Sequence, residues 1–516
     1  MATTQKQAVK SRRNVAETQS NLTALLGGFI PSPQQEAIFK WVLEGQGNAF
    51  VEAVAGAGKT TTLIKALHLM PGSVAFTAYN KKIAVEIQQK TEKLAKQNLR
   101  VGTFHSFGFN AWRRVHRNVR VDERTKREQM IMECEVPERL RSVTQRLVSL
   151  AKQSAVLRLW DVSEWANWME LIEHHDIDAD LENPRDVDLL IRHAINCTLW
   201  ARKNSVHIID FDDMIWLPVI TEVMMDQYQW VLVDEAQDTN PARRLLARRM
   251  MAPGGRLIMV GDRYQAIYGF TGADNDAVDI IIRDFQCQQL PLTVTYRCPK
   301  TIVDEAKKLV PHIVAHETAP QGIVRELSAY EFKTKEMFTL DPSDAILCRK
   351  TKPLIELAFM LIRQQIPCHV EGRDIGQGLL KLAQRWKIKT VEKLRERLEA
   401  YRDREVAKLH QLKRDASADA LNDRVETLFV LMEGCQIIDE VIVKINQMFQ
   451  DTDGTQKKTI TLSTVHKAKG REWDRVYILG WKEYMPSKWA TMQWQQDQER
   501  NLQYVAITRS KGELIF

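Results

Sequence analysis

The chain has 516 residues, a formal charge of +7, 44% hydrophobic and 27% charged residues, enough for two to four domains with substantial cores. No run of about 18 apolar residues marks a membrane span, and the polar, mildly basic N-terminus lacks the apolar stretch of a secretory signal. Seven cysteines without a C-x-x-C pair argue against a disulfide scaffold and a zinc site; a cytoplasmic protein is expected, and the modest positive charge permits an acidic partner without demanding one.

Residues 1–30 read as a flexible arm ending at Gly27-Gly28, and Pro31-Ser32-Pro33 starts a helix over Gln34 to Leu43. Asn48-Ala49-Phe50 leads into Val51 to Leu63, where an apolar run breaks into Ala55-Gly56-Ala57-Gly58 and a helix opens at Lys59-Thr60-Thr61. Strand, glycine loop and helix make a phosphate cradle: backbone N–H groups and the helix N-terminus face phosphate, Lys59 reaches the terminal phosphates, and Thr60 can ligate Mg2+. Ala53 stands where such loops usually begin with glycine. Strand-like runs at Ser73 to Thr77 and Arg100 to Thr103 alternate with helical pattern, as in a parallel α/β sheet.

From 108 to 205 the pattern becomes that of an all-helical insertion, with Trp112, Trp160, Trp165, Trp168 and Trp200 expected in its core. The basic cluster Arg113, Arg114, Arg117, Arg120, Arg124, Lys126 and Arg127 reads as a solvated face that could touch a nucleic-acid backbone. Strands return at Trp230 to Val233 and Arg256 to Val260. The runs Gln289 to Thr295, Ala345 to Cys348, Cys368 to Val370, Thr459 to Ser463 and Arg475 to Leu479 suggest a second sheet, interrupted by helices over 376–454. A nucleotide hydrolase with such a cradle needs carboxylates at a strand end, and Val231-Leu232-Val233-Asp234-Glu235 supplies them, Asp234 for the metal and Glu235 for the attacking water.

In these and further motifs the chain resembles a UvrD-like superfamily 1 DNA helicase. Pro33-Gln34-Gln35-Glu36-Ala37 is similar to the family's adenine-reading motif, with Gln34 as reader. AVAGAGKTT (Ala53, Val54, Ala55, Gly56, Ala57, Gly58, Lys59, Thr60, Thr61) is its form of the phosphate loop. FTAYNKKIA (Phe76 to Ala84) and TFHSF (Thr103 to Phe107) resemble its first-lobe DNA motifs, implying DNA contacts by Tyr79, Asn80, Thr103, Phe104 and His105; Ala78 stands where an aromatic is usual. IDFDDM (Ile209 to Met214) and DEAQDTN (Asp234 to Asn240) follow in order. VGDRYQAIYGFTGA (Val260 to Ala273) implies a γ-phosphate sensor, Gln265, and base-facing Tyr268 and Phe270, with Thr271 in place of the usual arginine. TYRCP implies Tyr296 on adenine and Arg297 on the γ-phosphate. STVHKAKGREWD (Ser463 to Asp474) implies DNA contacts at Thr464 and His466 and Glu472 near the ribose, and QERNLQYVAITRS (Gln498 to Ser510) implies Arg509 as arginine finger.

The resemblance implies an α/β fold of two RecA-like P-loop NTPase lobes with parallel sheets, each interrupted by a helical insertion: lobe one over 31–107 and 206–285, lobe two over 286–375 and 455–516. It implies ATP and Mg2+ as cofactors, Lys59, Asp234, Glu235, Gln265, Arg297 and Arg509 as the hydrolytic set, and single-stranded DNA and single-strand/duplex junctions as partners. Movement would run 3′ to 5′ in repair, replication, recombination or phage and defence DNA processing, with a protein partner or self-association for processive unwinding and no membrane. The alternative is a UvrD-like module that binds DNA or protein and uses ATP only as a switch.

Overall fold

The computed structural model describes residues 22–92, 98–175, 177, 181, 183–221, 223–267, 276–411, 415–449, 459–488, 490 and 493–516. The chain divides into two compact units. One runs to Arg263 and resumes through Thr293; the other holds Tyr264–Ile267 and Val294–Phe516.

The first unit begins with the helix Pro33–Glu44. Proline at its first turn and a reciprocal Ser32–Gln35 capping box fix its start, and Ile38, Phe39 and Val42 turn inward. Strands β1 (Asn48–Ala53), β2 (Val74–Thr77) and β3 (Leu99–Gly102) follow. The two-residue strands β4 (Arg120–Val121) and β5 (Ile208–Ile209) pair with each other; β6 (Tyr228–Val233), β7 (Met251–Gly261) and β8 (Cys287–Leu292) complete the main sheet. That sheet is parallel throughout, in the order β3-β2-β6-β7-β1-β8. Its central strands are apolar on both faces, as a sheet covered by helices requires: all four residues of β2 are buried, and Phe50, Val231, Val233 and Met259 share one core.

Helices Phe104–Val115, Glu123–Glu133, Arg141–Gln153, Trp165–His174 and Val187–Lys203 make up the insertion, which has its own core around Leu147, Trp168, Ile191 and Trp216. It is not purely helical, because β4 and β5 pair across it. Trp112 and Trp168 are buried as expected, but Trp165 is exposed at the first position of its helix. Lys126 departs from the solvated basic face: it is 1% exposed, with Nζ donating to Asn204 O at 2.7 Å and Ser205 Oγ at 2.9 Å. Arg124, by contrast, is solvated and paired with Glu128.

In the second unit, β9 (Val294–Thr295) pairs with β10 (Val314–Ala315). Strands β11 (Ile323–Arg325), β12 (Ala345–Cys348), β13 (Cys368–Val370), β14 (Ile460–Thr464), β15 (Trp473–Leu479) and β16 (Ser510–Ile515) form a second parallel sheet in the order β11-β16-β15-β12-β14-β13. Helices Arg373–Gln384, Val391–Gln411, Asp415–Met432 and Ile438–Phe449 pack into the same core as this sheet, through Leu379, Leu394, Leu428 and Ile445.

Two expectations about boundaries are corrected. The run Gln289 to Thr295 is not one strand of the second sheet: β8 pairs with β1 at the edge of the first sheet, where Pro291 can sit without an N–H, and only Val294–Thr295 pass to the second unit. The first sheet therefore extends beyond 285. The arm over 1–30 is anchored in its described part, where Leu22 and Leu26 are buried. Among the described residues no helix is long and apolar enough to cross a membrane.

Candidate active site

β1 ends at Ala53, and Val54 N–H donates to Leu292 O, holding the following loop against the sheet edge. Gly56 and Gly58 have φ of +73° and +78°, and Gly58 is the residue from which helix Lys59–Ala66 starts. A Cβ on Gly58 would meet only Gln35 Nε2, at 3.9 Å, so left-handed backbone and not crowding calls for glycine there. Thr61 lies on the exposed side of the first turn and Thr60 on the inner side.

Thr60 Oγ1 donates to Asp234 Oδ2 at 2.6 Å, and Lys59 Nζ lies 3.6 Å from Glu235 Oε1. Burial, then the neighbouring Glu235 charge, pushes the Asp234 carboxyl up to about 6, against the pull of Thr60 and Lys59. Glu235 occupies a left-handed conformation, φ +52°, uncommon for a residue with a side chain, and precedes the short 3-10 turn Ala236–Asp238. Gln237 Nε2 donates to Glu235 Oε2 at 2.6 Å, while Gln237 Oε1 accepts from Asp262 N–H. Gly261 makes room for that amide, since a Cβ there would fall 2.6 Å from Gln237 Oε1. Sequence reasoning missed Gln237; its signal was its place two residues after Glu235.

The donor set fits a magnesium nucleotide. A hydroxyl and a carboxylate are the hard oxygen ligands that Mg2+ takes from protein when phosphates and water complete its shell, and a desolvated carboxyl beside a second one gains from a divalent cation. Among the described residues no group of three or more His, Cys, Asp or Glu is placed to hold a metal ion.

Gln34 is clasped at both ends of its amide: Nε2 donates to Thr293 Oγ1 and Oε1 accepts from Thr293 N–H, each at 2.8 Å. Reading adenine would require exchanging these bonds. Asn80 and Thr103 are helix caps, Asn80 Oδ1 accepting from Ile83 N–H and Thr103 Oγ1 from Ser106 N–H. Phe104 is buried in the sheet's core. Tyr79 is 42% exposed. His105 packs edge-on against Phe211, with burial and Arg243 holding its pKa down near 4. A small pocket brings Ala78, Tyr79, Phe104 and His105 together with Asp234, Glu235 and the Asp238–Arg243 segment. Tyr268 and Phe270, like Thr271, lie outside the described residues.

In the second unit Gln265 is buried, and its carbonyl accepts from Lys469 Nζ at 2.6 Å. Tyr296 is 48% exposed, its ring 4.7 Å from that of His316. Arg297 Nε lies 2.5 Å from Glu472 Oε2, so the two residues implied for γ-phosphate and ribose face each other. Arg509 is only 1% exposed: Nε donates to Val505 O, Nη1 to Arg471 O and Nη2 to Thr508 Oγ1. Thr464 is buried at the residue preceding the short helix Val465–Ala468, with no side-chain capping bond; burial and the Arg349, Lys467 and Lys469 charges hold His466 near 3, a neutral imidazole at neutral pH.

Residues 32–286 match the UvrD/REP helicase N-terminal domain and residues 373–516 the UvrD-like helicase C-terminal domain. The ATP-dependent DNA helicase Rep of Escherichia coli is 21% identical over 94% of this chain and 90% of its own length. DNA helicase II of Haemophilus influenzae is 25% identical over 51% of this chain and 38% of its length, and the ATP-dependent DNA helicase PcrA of Staphylococcus aureus 24% identical over 54% and 40%. The two matched domains cover more than half of the sequence in the family's order, and the chain belongs to the UvrD-like superfamily 1 helicases.

Proposed function

We propose that the chain is a DNA motor that hydrolyses Mg-ATP to move 3′ to 5′ along single-stranded DNA and separate strands at single-strand/duplex junctions. The observation that carries this reading is the convergence of Lys59, Thr60, Asp234 and Glu235 in one unit, with Tyr79 and His105 lining a pocket shared with the two carboxylates. A molecule that only bound DNA would have no use for a hydroxyl, an ammonium and two carboxylates so arranged.

Mg-ATP, when bound, supplies the phosphoanhydride bond whose cleavage drives the cycle. Lys59 and the N–H groups of Gly56 to Thr61 bind its phosphates, and Thr60 and Asp234 hold the metal. Glu235 orients water and accepts its proton at a carboxylate oxygen, while the Gln237 amide fixes that carboxylate's rotation. Gln34 and Tyr296 are assigned to adenine, Glu472 to the ribose, and Gln265, Arg297 and Arg509 to the charge on the terminal phosphate. Repair, replication, recombination and phage or defence DNA processing in the cytoplasm all suit such a motor, with a partner protein or second copy assisting long unwinding.

Steady-state ATP hydrolysis with and without single-stranded DNA tests the reading. Mg2+-dependent turnover that rises strongly with single-stranded DNA is expected. Turnover indifferent to DNA would favour the nucleotide switch instead.

A further inference from the structure

We propose that Arg243 is a positioning residue that links a strand seated on the Tyr79–His105 face to the Glu235 carboxylate. The inference rests on the motor reading above and adds to it the group that carries the signal within the first unit. Arg243 lies in the first turn of helix Pro241–Met250, capped by Asn240, whose side chain accepts from the Arg243 N–H. Its Nη1 donates to the carbonyl of Asp238 at 3.2 Å. Asp238 is the last residue of the turn that begins directly after Glu235, so the guanidinium grips the segment that sets where Glu235 points.

The same side chain also lines the pocket that holds Tyr79 and His105, and its Nε is buried without a hydrogen-bond partner among the described residues. A buried, cationic N–H with nothing to donate to is costly, and an acceptor oxygen on a bound strand would satisfy it with a charge-assisted bond. Burial is the main cause of the lowered His105 pKa and the raised Tyr79 pKa, and the charge of Arg243 adds to the first and opposes the second.

Movement at Arg243 has a receptive target. Glu235 sits at φ +52°, a conformation its surroundings impose, so a shift of the Ala236–Asp238 turn, which also carries the Gln237 amide bonded to Glu235 Oε2, moves the carboxylate with it. Arg244 secures the neighbouring carbonyl of Thr239 at 2.9 Å, so the displacement is confined to the turn and does not spread along the helix. A strand drawing Arg243 toward itself would thus change the position of the base that activates water.

The test compares ATP turnover at saturating single-stranded oligonucleotide with turnover in its absence, for wild type, Arg243→Ala and Arg243→Lys. The ratio of stimulated to basal kcat should fall roughly tenfold in Arg243→Ala, the scale of one hydrogen bond to a charged group, and recover in part in Arg243→Lys. A ratio at the wild-type value in Arg243→Ala, or stimulated and basal rates falling in parallel in both variants, would overturn the proposal and leave the motor reading intact. A wild-type protein without DNA stimulation would remove both.

Discussion

The Thr60 hydroxyl donates to Asp234 Oδ2 at 2.6 Å across 174 residues of sequence, tying the first turn of the phosphate-loop helix to the end of β6. The bond spans the helical insertion, as the β1–β7 and β2–β6 pairings do, and it joins the two protein ligands proposed for Mg2+. Its acceptor is a carboxyl whose burial disfavours its charge.

Asp234 should therefore make stability depend on pH. Its folded pKa near 6 lies above the ordinary 3.8, so the folded chain holds the proton more tightly. The contribution is full below about pH 4 and is lost as pH rises through 6. In metal-free buffer Asp234→Asn should raise the thermal midpoint above wild type at pH 7 to 8, by up to roughly 3 kcal/mol of stability, with the gap closing toward pH 4. Asp213 is raised to about 6 by burial as well, so the quantity to read is the difference between variant and wild type across pH. A lower midpoint for the variant at pH 8 would show that the ionised carboxylate is stabilised.

Glu235→Gln should bind nucleotide and slow turnover by about 10^2- to 10^4-fold, the usual contribution of a general base. Lys59→Ala should instead weaken nucleotide binding, because it removes the cation that faces the terminal phosphates. Equilibrium nucleotide titration beside single-turnover hydrolysis separates the two effects. Wild-type hydrolysis by Glu235→Gln would remove that residue from its assigned role.

Arg509 calls for a different expectation from that of an exposed arginine finger. Its guanidinium satisfies three acceptors inside the second unit, so Arg509→Ala should cost a few kcal/mol of stability in addition to slowing turnover. Arg509→Lys, which keeps the charge but not the fork of donors, should fall between. Thermal unfolding measured beside kcat and nucleotide Kd decides: unchanged stability with a large loss of kcat in Arg509→Ala would mean that the buried bonds contribute little.

Much of the fold was legible because local signals and tertiary placement agree. Ala345–Cys348, Cys368–Val370 and Ile438–Phe449 fall where pattern places them, and the loop before Lys59 bends where its glycines allow. The misreadings share a cause, which is that partners distant in sequence decide. Gln289 to Thr295 reads as one β run, but pairing with β1 on one side and with β10 on the other divides it. The start of β7 was hidden by Pro253-Gly254-Gly255, which reads as a turn and is accommodated by a register shift against β6. Lys126 carries the charge of a surface residue, yet Asn204 and Ser205 supply acceptors that only the folded insertion assembles.

The direction of movement is the remaining consequence of the motor reading. Order and wording of the motifs resemble the branch that travels 3′ to 5′, and the two parallel sheets with their matched N- and C-terminal helicase domains support a two-lobed translocase. Translocation needs only lobes that alternate their grip as nucleotide is bound and hydrolysed. Strand separation needs in addition a surface that meets the duplex, working against stacking of about 1.4 kcal/mol per base-pair step. Such surfaces would come from the helical insertions, and the second of these is a compact set of helices that shares the core of its own sheet. A single copy should therefore translocate readily and unwind long duplexes poorly. Streptavidin displacement from end-labelled oligonucleotides reads the polarity: the 5′-biotin should be cleared preferentially, and preferential clearance of the 3′ label would reverse the branch assignment. Single-turnover unwinding of short and long 3′-tailed duplexes reads the second part, which fails if one copy opens long duplexes as completely as short ones.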